Sequence, residues 1–584
     1  MTQAFEATSP AVDAGNAGSS PGYDSFTLES WGWSSRPGEC APKAAALASL
    51  VNLAPPDPVA SVTYQSKGNV LVIAGDDAAR ARRVAAALAK RLHVTVLARE
   101  RTQPTEWGGR IVSLEGYLGE FTAVIDGLDT GAGAVAGSSQ PTKFDLVLDF
   151  GSAPAFAMRQ PPQGYFRAPA TDEALAPILE DLGGAVGEFE KPRYFAYREN
   201  ICAHSRSGIE GCNACIEICS TRAIEPDGDH VKVDPHLCMG CGACATVCPS
   251  GAMGYQYPRV ADRGAQLKQL LSTYRHAGGE DPCIVFHNGH DGRDLLATAA
   301  ASGAGLPGRA MPIETWHVAA VGLDLLLPAI AFGARQVVVL AAGSEDREYV
   351  AALEAQMAIG QAIVSALGYT GRHFALVQAA TPEALARGLT DLGSAQGVST
   401  AGTFLLSNDK RTAIEFAVEH LAKHAPSRVD EIALPAGAPF GEIVVDKSKC
   451  TMCLACVGAC PESALMDGVD QPMLKFLERN CVQCGLCEAT CPEEAISLSS
   501  RLLLTPAVRE ARVLNETQPF NCVRCAKPFG TRQMVEAMMG RLTGHSMFAQ
   551  SDALKRLQMC ADCRIVDMMS TKNEVSVLRM GADS

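Results

Sequence analysis

Twenty of the 22 cysteines in this 584-residue chain fall into short, regularly spaced sets, and thiolates so placed do metal chemistry. Cys450, Cys453, Cys456 and Cys460 are followed by Pro461, and Cys481, Cys484, Cys487 and Cys491 by Pro492. Cys238, Cys241, Cys244 and Cys248 repeat the spacing ahead of Pro249, while Cys202, Cys212, Cys215 and Cys219 form a looser set. Two further pairs, Cys522 with Cys525 and Cys560 with Cys563, lie near the C-terminus. Three cysteines at i, i+3 and i+6 wrap one turn around a single centre. Soft sulfur donors suit iron–sulfur clusters and zinc. The chemistry to expect is therefore one-electron transfer, and no Ser/His/Asp or paired-carboxylate constellation competes with it. Disulfides do not account for the sets, because metal-binding thiolates must stay reduced.

Residues 196–260 and 437–500 resemble the bacterial 2[4Fe–4S] ferredoxins through all sixteen cysteines. That resemblance implies that the fourth cysteine of each set crosses to the neighbouring cluster. Cys450, Cys453, Cys456 and Cys491 would then hold one [4Fe–4S] cluster, and Cys481, Cys484, Cys487 and Cys460 the next. Cys238, Cys241, Cys244 and Cys219 would hold a third. The fourth needs Cys212, Cys215, Cys248 and a return of Cys202 across nine residues; without Cys202 it is a three-cysteine [3Fe–4S] centre. Ala223-Ile224, Ala252-Met253, Ala464-Leu465 and Ala495-Ile496 recur at one offset, where a small residue admits the backbone and an aliphatic one shields the cluster. Ser220 stands where the other sets carry proline. The C-terminal pairs suit tetrahedral zinc in a zinc-ribbon-like domain, and NCVRCAKPF looks like a zinc knuckle. Their 34-residue separation is long for a ribbon and leaves an extra iron–sulfur cluster, or no metal, as alternatives.

The elements that must position these cysteines alternate. After a Gly/Ala/Ser/Pro-rich segment, 1–60, expected to be a disordered tail, Asn69–Gly75, Val94–Ala98 and Phe144–Phe150 read as strands around a helix near Asp77–Arg91. Strand, helix, strand implies a parallel βαβ unit. The expected class is multidomain α/β plus α+β. A Rossmann-like α/β domain (61–195) precedes a dicluster βαββαβ module (196–260), a second α/β domain (261–436), a second dicluster module (437–500) and a small four-cysteine domain (501–584). Gly75 supplies only the first glycine of a dinucleotide fingerprint, and Asp76 and Asp77 occupy the phosphate position, so no nucleotide site is inferred. Cys283, at a strand start, reads as a small buried hydrophobe. The region 281–380 resembles the delta iron–sulfur subunit of methyl-viologen-reducing hydrogenases, but most of that family's cysteines are absent. The resemblance therefore implies a scaffold or docking domain. Leu114–Phe121 is faintly similar to heterodisulfide reductase large subunits, whose flavin fingerprint is missing here.

A formal charge of −14, without Lys/Arg-rich runs, argues against a nucleic-acid partner. The N-terminus lacks the basic start and apolar run of a signal peptide. The most apolar stretch, 318–343, is broken by Asp324, Pro328 and Arg335, which argues against a membrane span. The expectation is a cytoplasmic, non-catalytic carrier or subunit relaying electrons through about four [4Fe–4S] clusters among redox protein partners. The chain also resembles proteins associated with formate dehydrogenases, which implies a formate dehydrogenase catalytic subunit as partner. The alternative is an accessory or maturation factor for a molybdenum- and Fe–S-containing enzyme.

Overall fold

The computed structural model describes residues 37–131, 141–156, 158–302, 305–343, 345–469, 471–543, 545 and 551–570. Its first sheet grows from the apolar runs Asn69–Ile73 and Leu146–Asp149, which are parallel neighbours with Val70 opposite Leu146. Such runs suit strands covered on both faces. The seven strands lie in the order Pro141–Phe144, Phe121–Asp129, Glu106–Glu115, His93–Ala98, Asn69–Ile73, Leu146–Asp149 and Tyr165–Arg167. The strands Pro141–Phe144, Phe121–Asp129 and Glu106–Glu115 pair antiparallel, so the sheet is mixed. Gly75 has φ +56°, and a Cβ there would lie 2.4 Å from the Phe150 carbonyl oxygen. Its freedom serves a close crossing of backbone rather than a phosphate.

The second sheet is fully parallel, in the order Ala310–Thr315, Cys283–Asn288, Gln336–Ala341, Phe374–Gln378. Helices Val260–His276, Leu323–Ala331 and Lys410–Lys423 share its largest core, with Leu267, Leu326 and Ala417 all at 0 % exposure. The segment 1–60 is not disordered throughout: Pro37–Ser49 is a helix whose Ala46 and Leu47, with the following Leu50, are buried in this same core. Burying an apolar face offsets the ordering entropy that composition alone suggested would win. Residues 1–36 and 571–584 lie outside the described residues.

Each cysteine module is a strand–helix–strand–strand–helix–strand unit. In the first, Phe195–Tyr197 pairs antiparallel with Met253–Tyr255, and Ile224–Asp227 with His230–Val233; the helices are Ala214–Ile218 and Ala243–Val247. In the second, Gly441–Val445 pairs with Ile496–Leu503, and Leu465–Asp467 with Met473–Phe476, around helices Ala455–Ala459 and Leu486–Thr490. The first module is held by both α/β domains. Tyr64 donates to the His236 carbonyl at 2.6 Å, Trp316 Nε1 to the Met239 carbonyl at 3.0 Å, and Thr246 to the Ala319 carbonyl at 2.6 Å.

His317 lies at the contact with the second α/β domain. Its Nδ1 accepts from the Ala319 N–H at 3.1 Å, and its ring meets Tyr349 edge-on at 5.2 Å. Burial, reinforced by repulsion from His290, lowers its pKa from 6.5 to about 4. The fold thus binds the neutral ring, and stability is lost as pH falls from 6.5 towards 4. Between pH 7 and pH 5 the wild type should lose roughly 2 kcal/mol more than His317→Asn, measured from anaerobic denaturant midpoints. Equal losses would show that His317 is not the group responsible.

Candidate metal centres

The looser cysteine set closes because its gap is folded. Ser205–Arg206 pairs with Ile209–Glu210 as a small hairpin, Gly211 N–H donates to the His204 carbonyl at 2.7 Å, and Cys212 N–H to the Ala203 carbonyl at 2.8 Å. That return carries Cys202 to Cys212 and Cys215. Burial pushes the Cys215 thiol up, followed by repulsion from Cys248, Cys212 and Cys202, so the four sulfurs share one pocket. A second pocket gathers Cys244 with Cys241, Cys238 and Cys219, again with burial as the leading cause of the upward shift.

The second module repeats the arrangement. Burial pushes Cys456 up to about 12, helped by Cys453, Cys450 and Cys491. It likewise raises Cys487, beside Cys481, Cys484 and Cys460. In both modules the fourth cysteine of each set therefore crosses to the other set. Its sulfur also accepts a backbone hydrogen bond: Ala223 N–H to Cys219 at 3.3 Å, Ala464 to Cys460 at 3.3 Å, Ala495 to Cys491 at 3.4 Å, and Met253 to Cys248 at 3.4 Å. The recurring alanine and aliphatic residue are buried in all four places, from Ala223 at 2 % to Ile496 at 6 %. The loops need left-handed residues between ligands. Gly240 and Gly242 supply them in one set, while Met452 (φ 55°) and Leu454 (φ 60°) do so in another, at a cost of order 1–2 kcal/mol each. Four desolvated cysteines whose thiolate forms repel one another resist ionising alone and are a suitable donor set for a cationic iron cluster.

The modules also meet one another. The Cys484 thiol is pushed up to about 12 by burial, then by Cys460 and Cys481, and also by Cys212 of the first module. A Cβ on Gly211 would lie 2.7 Å from Leu486 Cγ, so backbone beside one cysteine set packs on the loop of the other.

Several side chains at these pockets carry no signal in the cysteine spacing. Ser220, the departure from proline, is hydrogen-bonded to the Tyr349 hydroxyl, which also reaches the Cys241 sulfur. Here the signal was visible as the missing proline, but its partner was not. Lys191 donates to the Cys238 carbonyl at 2.8 Å, Lys410 to the Cys248 carbonyl at 3.0 Å, and Arg411 to the Cys481 carbonyl at 3.2 Å. Cys283 is 1 % exposed in the apolar core with Val285 and Ala310.

In the C-terminal domain the sulfurs of Cys522, Cys525, Cys560 and Cys563 all lie within 4.8 Å of one another. This is the one such gathering of potential metal ligands among the described residues. Cys522 and Cys525 sit on the turn of the Pro519–Asn521/Pro528–Thr531 hairpin. The second pair does not form another hairpin, as a ribbon requires; Cys560 precedes the helix Ala561–Ser570 and Cys563 lies in its first turn. The long spacer is filled by the helices Arg532–Leu542 and Ser551–Leu557. Burial acts upward on Cys522, but the N–H groups of Cys560, Cys525 and Arg524 hold it down to about 6. Burial and the other three sulfurs push Cys563 up to about 12, so one thiolate is favoured at the expense of its neighbour. Among the methionines at helical spacing, Met534, Met538 and Met539 are half-buried, and Met547 lies outside the described residues.

Comparison with known proteins agrees with this geometry. Residues 210–252 and 449–496 each match the 4Fe-4S dicluster domain. Hydrogenase-4 component A of Escherichia coli K12 is 36% identical over 66 residues, covering 11% of this chain and 30% of that protein. Ferredoxin 7Fe of Hydrogenibacillus schlegelii is 37% identical over 43 residues, 7% of this chain and 55% of that one. A ferredoxin of Alicyclobacillus acidocaldarius is 44% identical over 39 residues, 7% of this chain and 50% of that one. The chain thus spans about a third to just over half the length of these relatives. Among the described residues no helix is long and apolar enough to cross a membrane. The chain thus carries two regions of the 4Fe-4S dicluster type, and the structure brings the cysteines of each region together.

Proposed function

We propose that the chain is a relay of four [4Fe–4S] clusters in a fixed order. The outer cluster of the first module (Cys219, Cys238, Cys241, Cys244) is followed by its inner one (Cys202, Cys212, Cys215, Cys248). The inner cluster of the second module (Cys460, Cys481, Cys484, Cys487) leads to its outer one (Cys450, Cys453, Cys456, Cys491). The observation that carries this reading is the packing of Gly211, beside Cys212, on Leu486, between Cys484 and Cys487, which joins the two dicluster modules. The C-terminal four-cysteine pocket holds zinc in this reading. With Zn–S near 2.3 Å a tetrahedral edge is about 3.8 Å, and Cys525 and Cys560 are 3.7 Å apart. The α/β domains are scaffolds that hold the modules and present the ends of the path to redox proteins. A dehydrogenase-type oxidoreductase is the natural donor, formate dehydrogenase first among them on the whole-chain resemblance. Anaerobic affinity purification from the native host should recover a catalytic dehydrogenase subunit in stoichiometric amount. Maturation chaperones without mature enzyme would instead establish the accessory-factor role.

Anaerobically purified protein should carry about sixteen cluster irons, four for each of four clusters, and one zinc. Cys202→Ser should convert one cluster to a three-iron centre, visible in its EPR signal, with the other three unchanged. An unaltered spectrum would remove Cys202 from the ligand set. Gly211→Val overpacks both the Ala203 carbonyl, 2.6 Å from the added Cβ, and the junction against Leu486, and should cost about 1–3 kcal/mol. It should also weaken the magnetic coupling between the reduced inner clusters, measured at two microwave frequencies. Coupling equal to wild type would contradict the proposed order.

A further inference from the structure

Three cations approach the cysteine pockets from outside the dicluster domains, one to each of three pockets. Lys191, on the strand Gly187–Pro192, is 5 % exposed. Its ammonium donates to the His236 carbonyl at 2.6 Å and the Cys238 carbonyl at 2.8 Å, and lies 4.9 Å from the Tyr64 ring centroid. Lys410 is 8 % exposed and donates to the carbonyls of Ala245, Thr246 and Cys248 at 2.8, 2.6 and 3.0 Å. Its neighbour Arg411 donates to the carbonyls of Pro439, Arg479 and Cys481 and lies over the Phe440 ring at 4.6 Å.

Every one of these hydrogen bonds ends on a carbonyl oxygen. Among the described residues no ion pair within 4.0 Å joins Lys191, Lys410 or Arg411 to a carboxylate, whereas Arg198 beside them is bonded to Asp409 at 3.0 Å. Carboxylates act on the three at longer range: Asp234 on Lys191, Asp324 on Lys410, Glu462, Asp409 and Glu415 on Arg411. The cations act in turn on cluster thiols, Lys191 on Cys238 and Arg411 on Cys481, favouring the anionic form in each case. A cluster gains a negative charge when reduced, so a cation held at its ligand's carbonyl favours reduction and raises the potential. Net charge near the cluster is one of the levers that set iron–sulfur potentials, and it acts strongly where burial limits screening.

We infer that Lys191, Lys410 and Arg411 are potential-setting residues, each acting on one cluster: those of Cys238, Cys248 and Cys481 respectively. This rests on the four-cluster reading. They touch ligand backbone rather than iron, and each supplies a charge as well as a hydrogen bond. Glutamine keeps a donor and removes the charge, so Lys191→Gln, Lys410→Gln and Arg411→Gln separate the two roles.

The test is an EPR-monitored redox titration of the full chain, with each signal assigned beforehand by a Cys→Ser ligand substitution. Each glutamine variant should lower the midpoint of its own cluster and leave the other three in place. The expected size is roughly a tenfold drop in the ratio of reduced to oxidised cluster at fixed potential, about 59 mV for a one-electron couple. Charge-keeping Lys410→Arg and Arg411→Lys should stay near wild type. Four intact clusters with unchanged midpoints, or a common shift of all four, would overturn the inference. So would loss of the cluster itself in a glutamine variant, which would make these residues structural anchors. A wild type without four assignable signals would instead overturn the four-cluster reading.

Discussion

Repulsion among the thiolates that ligand cysteines must become, forced together out of water, is the constraint on which the rest of this structure depends. Cys215, Cys244, Cys456 and Cys487 each sit where burial and three or four neighbouring sulfurs disfavour the anionic ligand form. Iron supplies the positive charge that makes such a pocket stable, and the protein supplies the means to close it. Backbone N–H groups on the crossing cysteines, buried alanines at the close approach, and left-handed residues in the ligand loops all serve that closure. The two α/β domains then have a physical role without chemistry of their own. Their sheets are rigid bodies against which small, loop-rich modules with little apolar core can be held.

The C-terminal pocket solves the same problem differently. Its sulfurs are close enough for a single ion, and convergent N–H donors lower Cys522 while Cys563 beside it is pushed up. One protein thus contains two ways of stabilising a tetrathiolate. In the modules the burden falls on a polynuclear cofactor, and in the C-terminal domain it is shared with the hairpin turn and a helix start.

Ligand spacing is a local property, so the four cysteine sets, the two dicluster repeats and the apolar strand runs were legible in the sequence. The return of Cys202 is not, because it depends on a hairpin of two-residue strands, too short to show a period. The helix Pro37–Ser49 is hidden by composition, since its alanines read as low complexity until a core exists to receive them. The groups that dress the clusters were not legible at all. Lys191 is 47 residues from Cys238, Arg411 is 70 from Cys481, and Lys410 is 162 from Cys248. Tyr349 is 129 from Ser220. No pattern in one chain ties residues so far apart; only the packing of domains does.

The adjacency of Lys410 and Arg411 has a mechanical side. They open the helix Lys410–Lys423, whose first turn is held by Asp409 accepting from the Thr412 N–H at 2.9 Å. One residue grips the first module and the next grips the second, so a single backbone step carries both attachments. A hinge at this point would have to unwind the helix and strip two cations of their carbonyls together. One helix start therefore ties the two dicluster modules to each other and to the second α/β domain at a single point.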